Sequence, residues 1–315
     1  MSPRLLGSAA GPPSPPGRGV DRRVGLYAAL AALVLALAAV TWTAVGDDPP
    51  GGGAAPEASP SPGPTGGLAA DAHRPTGESA LVDNPLYGTG RLAPLPCPAP
   101  ELDVRDPSSM EVFLHAVSDC LDDAWTTQFE RAGIPFRPPE RVFWSDPGRS
   151  PCRDYPSAAG AFYCRADTSV YIGTSDVVEK WNGAEDSAVY ASLLAHEYAH
   201  HVQGESGLLE YYHEQRRLEA DRTDQNAWTR RSELQANCLA GVFLGSVRVS
   251  YPLEDGDIDA VLADAAATAD REGGPEDERT HGSADNSTRW MRHGLDRQEP
   301  GACNTWDVED PSLVE

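Results

Sequence analysis

His196-Glu197-Tyr198-Ala199-His200-His201-Val202-Gln203 contains the pattern His-Glu-x-x-His. On an α-helix, residues four apart share a face, with Cβ atoms about 5–6 Å apart. His196 and His200 can therefore reach one tetrahedral metal ion. Glu197, between them, falls beside the position such an ion leaves open, where a carboxylate can take a proton from water. The run before the pattern, Ser187-Ala188-Val189-Tyr190-Ala191-Ser192-Leu193-Leu194-Ala195, lacks Gly and Pro and is apolar around most of its circumference. Such a helix belongs inside a domain. Two imidazoles and a carboxylate buried there without partners would be costly, so the pattern predicts one bound Zn²⁺ rather than a solvated polar face.

Catalytic zinc usually takes three protein ligands and keeps a position for water. The third is expected from a separate helix, and Glu233 in Arg230-Arg231-Ser232-Glu233-Leu234-Gln235-Ala236-Asn237 is the best placed acid. Glu205, Glu210, Glu214 and Glu219 compete with it, and an ordinary pairing of Glu233 with Arg230 or Arg231 is the alternative. Asn237, one turn beyond Glu233, could hold a ligand histidine in one tautomer.

The 315 residues divide by composition. Residues 1–23 read as a disordered cytoplasmic tail. Residues 24–45 are an uncharged apolar run long enough to span a bilayer. Arg4, Arg18, Arg22 and Arg23 precede it, which places the N-terminus in the cytoplasm and the rest outside. The run is longer than a signal-peptide core and lacks a clean small-x-small site after it, so an uncleaved anchor is favoured over a cleaved leader. Residues 46–94 are a linker rich in Pro and Gly, and residues 95–315 are the expected domain. Six cysteines, all beyond the anchor, suit an oxidising compartment. Six cysteines leave the pairing open; Cys152–Cys164, with its short loop, leads the expected set, followed by Cys97–Cys120 and Cys238–Cys303.

The net charge of −23 argues against a nucleic-acid partner. It could steer basic substrates inward, but a solvated, repulsive surface explains it as well. Coarse patterning gives a helix from Ser108 or Ser109 to about Arg131, strands at 141–144, 161–164 and 169–172, and helices at 187–203, 208–220, 225–249 and 257–271. Strands and helices that do not alternate indicate an α+β fold. Asn286-Ser287-Thr288 matches a glycosylation acceptor only formally.

Several stretches in one order resemble the neutral zinc metallopeptidase family, whose members are often membrane-anchored bacterial proteins. They are Asn84-Pro85-Leu86-Tyr87, Ala161 to Cys164, Ser169 to Ile172, His196 to Gln203, Glu233 to Cys238, Thr280-His281-Gly282-Ser283 and Arg289-Trp290. The resemblance implies a zincin-like domain, a zinc cofactor and Glu233 as third ligand. Two positions depart from the family pattern: Ala199 stands for a Gly, and Asn237 for an Asp. The second removes a negative charge that would make a ligand histidine more basic, at a cost of about 10–100-fold in metal affinity or activity.

The expected function is hydrolysis of peptide or protein substrates outside the membrane, with His196, His200 and Glu233 holding zinc and Glu197 as general base. Ser169–Ile172 is a candidate edge strand for an extended substrate, and His281 a candidate for stabilising developing negative charge. His201 and Tyr198 point away from the ligand face. A non-proteolytic ectodomain that keeps zinc for structure, and a metal-dependent cell-wall amidase, are the alternatives.

Overall fold

The computed structural model describes residues 73–98, 100–156 and 160–315. The expected tail and anchor, and most of the expected linker, lie outside the described residues. Among the described residues no helix is long and apolar enough to cross a membrane.

Packing begins before residue 95. A short helix, α1 (Ser79–Val82), buries Ala80 and Leu81, and Leu86 and Leu92 are buried after it. Asn84 ties this segment down, its side-chain amide donating to the carbonyls of Ala80 (2.8 Å) and Ser206 (3.1 Å). Gly207, at φ +82°, lets the Pro75 carbonyl come close, and Arg74 pairs with Glu205 at 3.0 Å. Composition reads this stretch as linker because its few apolar residues are scattered among Pro, Gly and Thr.

The first long helix, α2 (Pro107–Ala132), is capped by Asp106, which accepts from the Ser108 amide, rather than by Ser108 or Ser109. Pro107 takes the first turn, where its missing N–H costs nothing, and Gly133 closes the helix in the left-handed region. Its buried stripe includes Phe113, Val117, Leu121, Trp125 and Phe129.

Five strands follow: β1 (Glu140–Trp144), β2 (Gly148–Arg149), β3 (Asp154–Tyr155), β4 (Ala161–Cys164) and β5 (Ser169–Gly173). β2 and β3 form a small separate ribbon. The other three make a sheet in the order β1-β5-β4, with β5 parallel to β1 and antiparallel to β4. The expected edge strand 169–172 is therefore the central one. All five of its residues are buried, as suits a strand flanked on both sides and free of charged residues. β4 holds the edge instead.

Helix α3 (Asp176–Lys180) leads to α4 (Ser187–Glu205), which carries the His-Glu-x-x-His pattern and is capped by Asp186. Then come α5 (Leu208–Leu218), α6 (Arg222–Val247), α7 (Asp255–Ala267) and α8 (Ala284–Arg297). Asp221 starts α6 three residues earlier than patterning suggests, by accepting from the Thr223 amide at 2.7 Å. The order of elements is a helix-rich α+β fold.

Helix α8 was not expected from sequence, and it packs closely on α6. Gly241 and Gly245 of α6 and Gly294 of α8 let the two backbones meet: a Cβ on Gly294 would run into the Cys238 carbonyl and lie 2.8 Å from the Val242 nitrogen. Asn286 is buried in α8 and donates to the carbonyls of Ser312 and Glu315, so the glycosylation reading fails. The disulfides are Cys97–Cys120, Cys152–Cys164 and Cys238–Cys303, as expected, and no cysteine is free.

Candidate metal centre

His196 and His200 stand one turn apart on α4, with ring centroids 4.8 Å apart and planes at 90°. Glu233, on α6 alongside, points a carboxylate oxygen at both. Its Oε2 lies 3.2 Å from His196 Nε2 and 3.3 Å from His200 Nε2. These are the one His/Glu set among the described residues whose ligand atoms all fall within 4.8 Å of one another. Of the competing acids, Glu205 pairs with Arg74 and Glu219 accepts from Trp228. Glu210 and Glu214 are exposed on α5. Arg230 and Arg231 do not take Glu233 either; they donate to the carbonyls of Arg279, Thr305 and Trp306.

The donor set fits zinc. Metal–ligand bonds of 2.0–2.2 Å at tetrahedral angles put neighbouring ligand atoms about 3.3–3.5 Å apart, close to the separations found. The remaining ring nitrogens are held as a metal site requires. His196 Nδ1 lies 2.9 Å from Asn237 Oδ1, and His200 Nδ1 lies 2.9 Å from Gln203 Oε1. Each amide oxygen can only accept, so each Nδ1 carries a proton and each Nε2 is the ring atom left to face a metal ion beside Glu233.

Without a metal, the cluster balances charge internally. Burial opposes ionisation of His200, but the Glu233 carboxylate outweighs it and lifts the imidazole to about 9. Burial likewise pushes Glu233 up, and His200 and His196 more than offset it, holding the carboxyl well below its usual range. A divalent cation would take the place of those protons.

Gln203 has a role that the motif alone does not disclose. Its side chain joins α4 to α6: besides accepting from His200, Oε1 accepts from Ser232 Oγ at 3.1 Å. Nε2 donates to the Ser232 carbonyl at 2.9 Å and to Gln235 Oε1 at 3.0 Å. Its position three residues after a ligand histidine, one helical turn on, is the signal that could have found it.

The neighbours of the ligands are structural. His201 is buried, with Nε2 2.7 Å from the Arg137 carbonyl and the rings of Phe136, Tyr163 and Tyr198 around it. Burial drives its imidazole down to about 4, so it is neutral. Tyr198 donates to Asp122 Oδ1 at 2.7 Å, and Asp122 in turn pairs with Arg141, linking α4 to α2 and β1.

Two clefts, of about 330 and 490 Å³, meet at Ala161, His196, Glu197 and His281. Glu197 is thus at the junction, beside the ligands and open to both sides. His281 sits on a turn whose three amides, at 280–282, all donate to the Asp270 carboxylate, leaving its ring half-exposed at the mouth. Edge strand β4 borders the smaller cleft through Ala161, Phe162 and Tyr163.

Comparison with known proteins agrees with this geometry. The family described as "Putative neutral zinc metallopeptidase" matches residues 101–306. "Uncharacterized protein YpfJ" of Escherichia coli (strain K12) is 32% identical over 203 residues, covering 62% of this chain and 70% of that protein. "Uncharacterized protein Rv2575" of Mycobacterium tuberculosis is 32% identical over 199 residues, covering 55% of this chain and 64% of its own length. No solved structure matches. With the motif, the donor geometry and a match over most of its length, the chain belongs to the neutral zinc metallopeptidase family.

Proposed function

We propose that the protein is a membrane-tethered, extracytoplasmic zinc peptidase that binds one Zn²⁺ through His196, His200 and Glu233. The observation that carries this is the convergence of both Nε2 atoms on Glu233 Oε2, with both Nδ1 atoms committed to amide oxygens. Zinc held there would supply Lewis acidity to a scissile carbonyl and lower the pKa of a water toward about 7. Glu197 accepts the proton of the attacking water and returns it to the departing amine. The free edge of β4, not β5, is the place for an extended peptide to pair. His281 lies at the mouth where it can donate to developing negative charge. A helix bearing both histidines, laid against a small sheet with its edge along the cleft, is the plan expected of a zincin-like domain.

Asn237 keeps the hydrogen bond to His196 despite lacking a charge, and three protein ligands beside an open cleft are the pattern of a catalytic zinc rather than a four-ligand structural one. Location outside the membrane is supported by the apolar run at 24–45 and by three disulfides.

The test uses the purified full-length protein beside Glu197→Gln and Glu233→Ala. Metal analysis should find one zinc per chain in the first two and loss in the third. Peptide-mixture cleavage should be confined to the wild type. Tight zinc in Glu233→Ala refutes the ligand assignment; equal cleavage by Glu197→Gln refutes the base.

A further inference from the structure

The chain carries 48 acidic residues against 25 Lys and Arg, yet that excess is absent from the wall of the smaller cleft at the metal centre. Among the described residues Glu197 and Glu233 are the only carboxylates lining it, and Arg153 and Arg165 match them in number. The arginines are placed by covalent structure. Arg153 follows Cys152 and Arg165 follows Cys164, so the Cys152–Cys164 disulfide holds both beside the end of β4. The Arg153 guanidinium lies 4.8 Å over the Phe162 ring on that strand. Across the cleft, His213 on α5 is held neutral, down to about 4, by burial first and then by Arg165, Arg216 and Arg217. None of these four arginines forms an ion pair with a carboxylate among the described residues.

A fold rich in acids elsewhere has placed none on this wall beyond the candidate base Glu197 and the candidate ligand Glu233, and has left guanidinium groups unpaired along the strand edge. Arginine's planar fork suits a carboxylate in particular. We propose that the smaller cleft is a subsite for a peptide carboxylate, read by Arg153 and Arg165 at the end of β4. This rests on the reading of the cleft as a peptide site. Two sources share that chemistry: an Asp or Glu side chain, and a free C-terminus.

Full-length Glu197→Gln loaded with zinc binds without turnover, so calorimetric titration can compare three neutral-background peptide sets. One walks a single Glu through an amidated peptide, the second replaces that Glu by Gln, and the third is the Gln peptide with a free C-terminus. The Glu set at one position, or the free C-terminus, should bind about five- to tenfold more tightly than the amidated Gln set, the scale of two solvent-accessible charge pairs. The better of the two identifies the source. Arg153→Gln/Arg165→Gln should abolish the difference while leaving affinity for the amidated Gln peptides unchanged. Equal binding by all three sets, no binding by any, or a preference that survives the double substitution overturns the proposal. Cleavage by the wild type without a carboxylate preference sinks this inference alone; preferential binding with no cleavage sinks the hydrolytic reading alone.

Discussion

Replacing Gln203 by Met separates the metal site from the fold that supports it. Gln203 is only 1% exposed and its amide makes four hydrogen bonds: from His200 and Ser232 Oγ, and to the Ser232 carbonyl and Gln235. Met fills nearly the same volume and offers none of them. On the metal side, His200 loses the acceptor that fixes its tautomer, and zinc affinity should fall about 10–100-fold, equal to about 1.4–2.7 kcal/mol. On the folding side, Gln235 Oε1 keeps a 3.4 Å contact from Trp306 Nε1, but Ser232 Oγ loses the one acceptor found for it. A buried donor left unmade costs about 1–3 kcal/mol, and that loss should show in metal-free protein. Zinc affinity is read by competition with a chromophoric chelator, and metal-free stability by denaturant unfolding with chelator in excess. Gln203→Glu divides the two effects. Its carboxylate restores an acceptor for His200 and for Ser232 Oγ, but it sets a buried, charged oxygen against the Ser232 carbonyl and Gln235 Oε1 where the amide donated, so affinity should recover while stability stays low. Wild-type zinc affinity in Gln203→Met, or no recovery in Gln203→Glu, would refute the argument that this amide orients His200.

Asn237→Asp keeps the 2.9 Å acceptor for His196 and adds the charge that makes the imidazole more basic; zinc should bind up to about tenfold more tightly, and weaker binding by chelator competition counts against the assignment. His201 should make acid destabilising: its folded pKa, about 4, lies below the ordinary value near 6.5, so between those values the unfolded chain takes up the extra proton and stability falls as pH falls. Relative to His201→Gln, the wild type should lose about 2 kcal/mol between pH 7.5 and pH 5, the metal ligands being common to both; parallel unfolding curves would contradict this. Gly294→Ala should gain up to about 1 kcal/mol from helix propensity but drive a methyl into the Cys238 carbonyl, giving a net loss of about 2 kcal/mol or more and a melting point lower by roughly 4–8 °C. Gly256→Ala, with nothing within 4 Å of the new methyl, should keep the gain; equal melting points for the two variants would remove the case for backbone contact between α6 and α8.

What the sequence discloses here follows the physical range of each signal. The zinc motif is legible because two histidines and a glutamate within one turn need only helical periodicity to converge. Glu233 is legible as the best placed acid and is singled out by the family resemblance, but nothing local in Glu205, Glu210, Glu214 or Glu219 says which helix will lie beside α4. Strand 169–172 is recognisable as a strand, yet its place in the sheet depends on pairing with 140–144, an association no neighbouring residue encodes; the absence of any charge from Ser169 to Ile172 is the one local clue to a central position. Helix α8 escapes notice because its sequence is mostly polar and its buried face is narrow, with Gly294 at the contact where a pattern search expects a large apolar residue. Segment 74–94 is held by hydrogen bonds to residues more than a hundred positions away, which composition cannot register.

The charge balance carries the same lesson into function. A net charge of −23 sets the sign of the field far from the protein, and at physiological salt that field decays over about 8 Å. A peptide at the edge of β4 is inside that distance from Arg153 and Arg165, so the local pair governs what the cleft holds while the distant acids govern what approaches. Steering of basic peptides, the natural inference from composition, would then bring the wrong sign to the wall. Acidic surface and arginine-lined cleft are compatible if association is not what limits selection: affinity differences among related ligands arise mostly in how slowly they leave, and leaving is decided by the contacts at 153 and 165. For this chain the informative quantity is therefore which residues line the metal site, and net charge describes only the solvent-facing remainder.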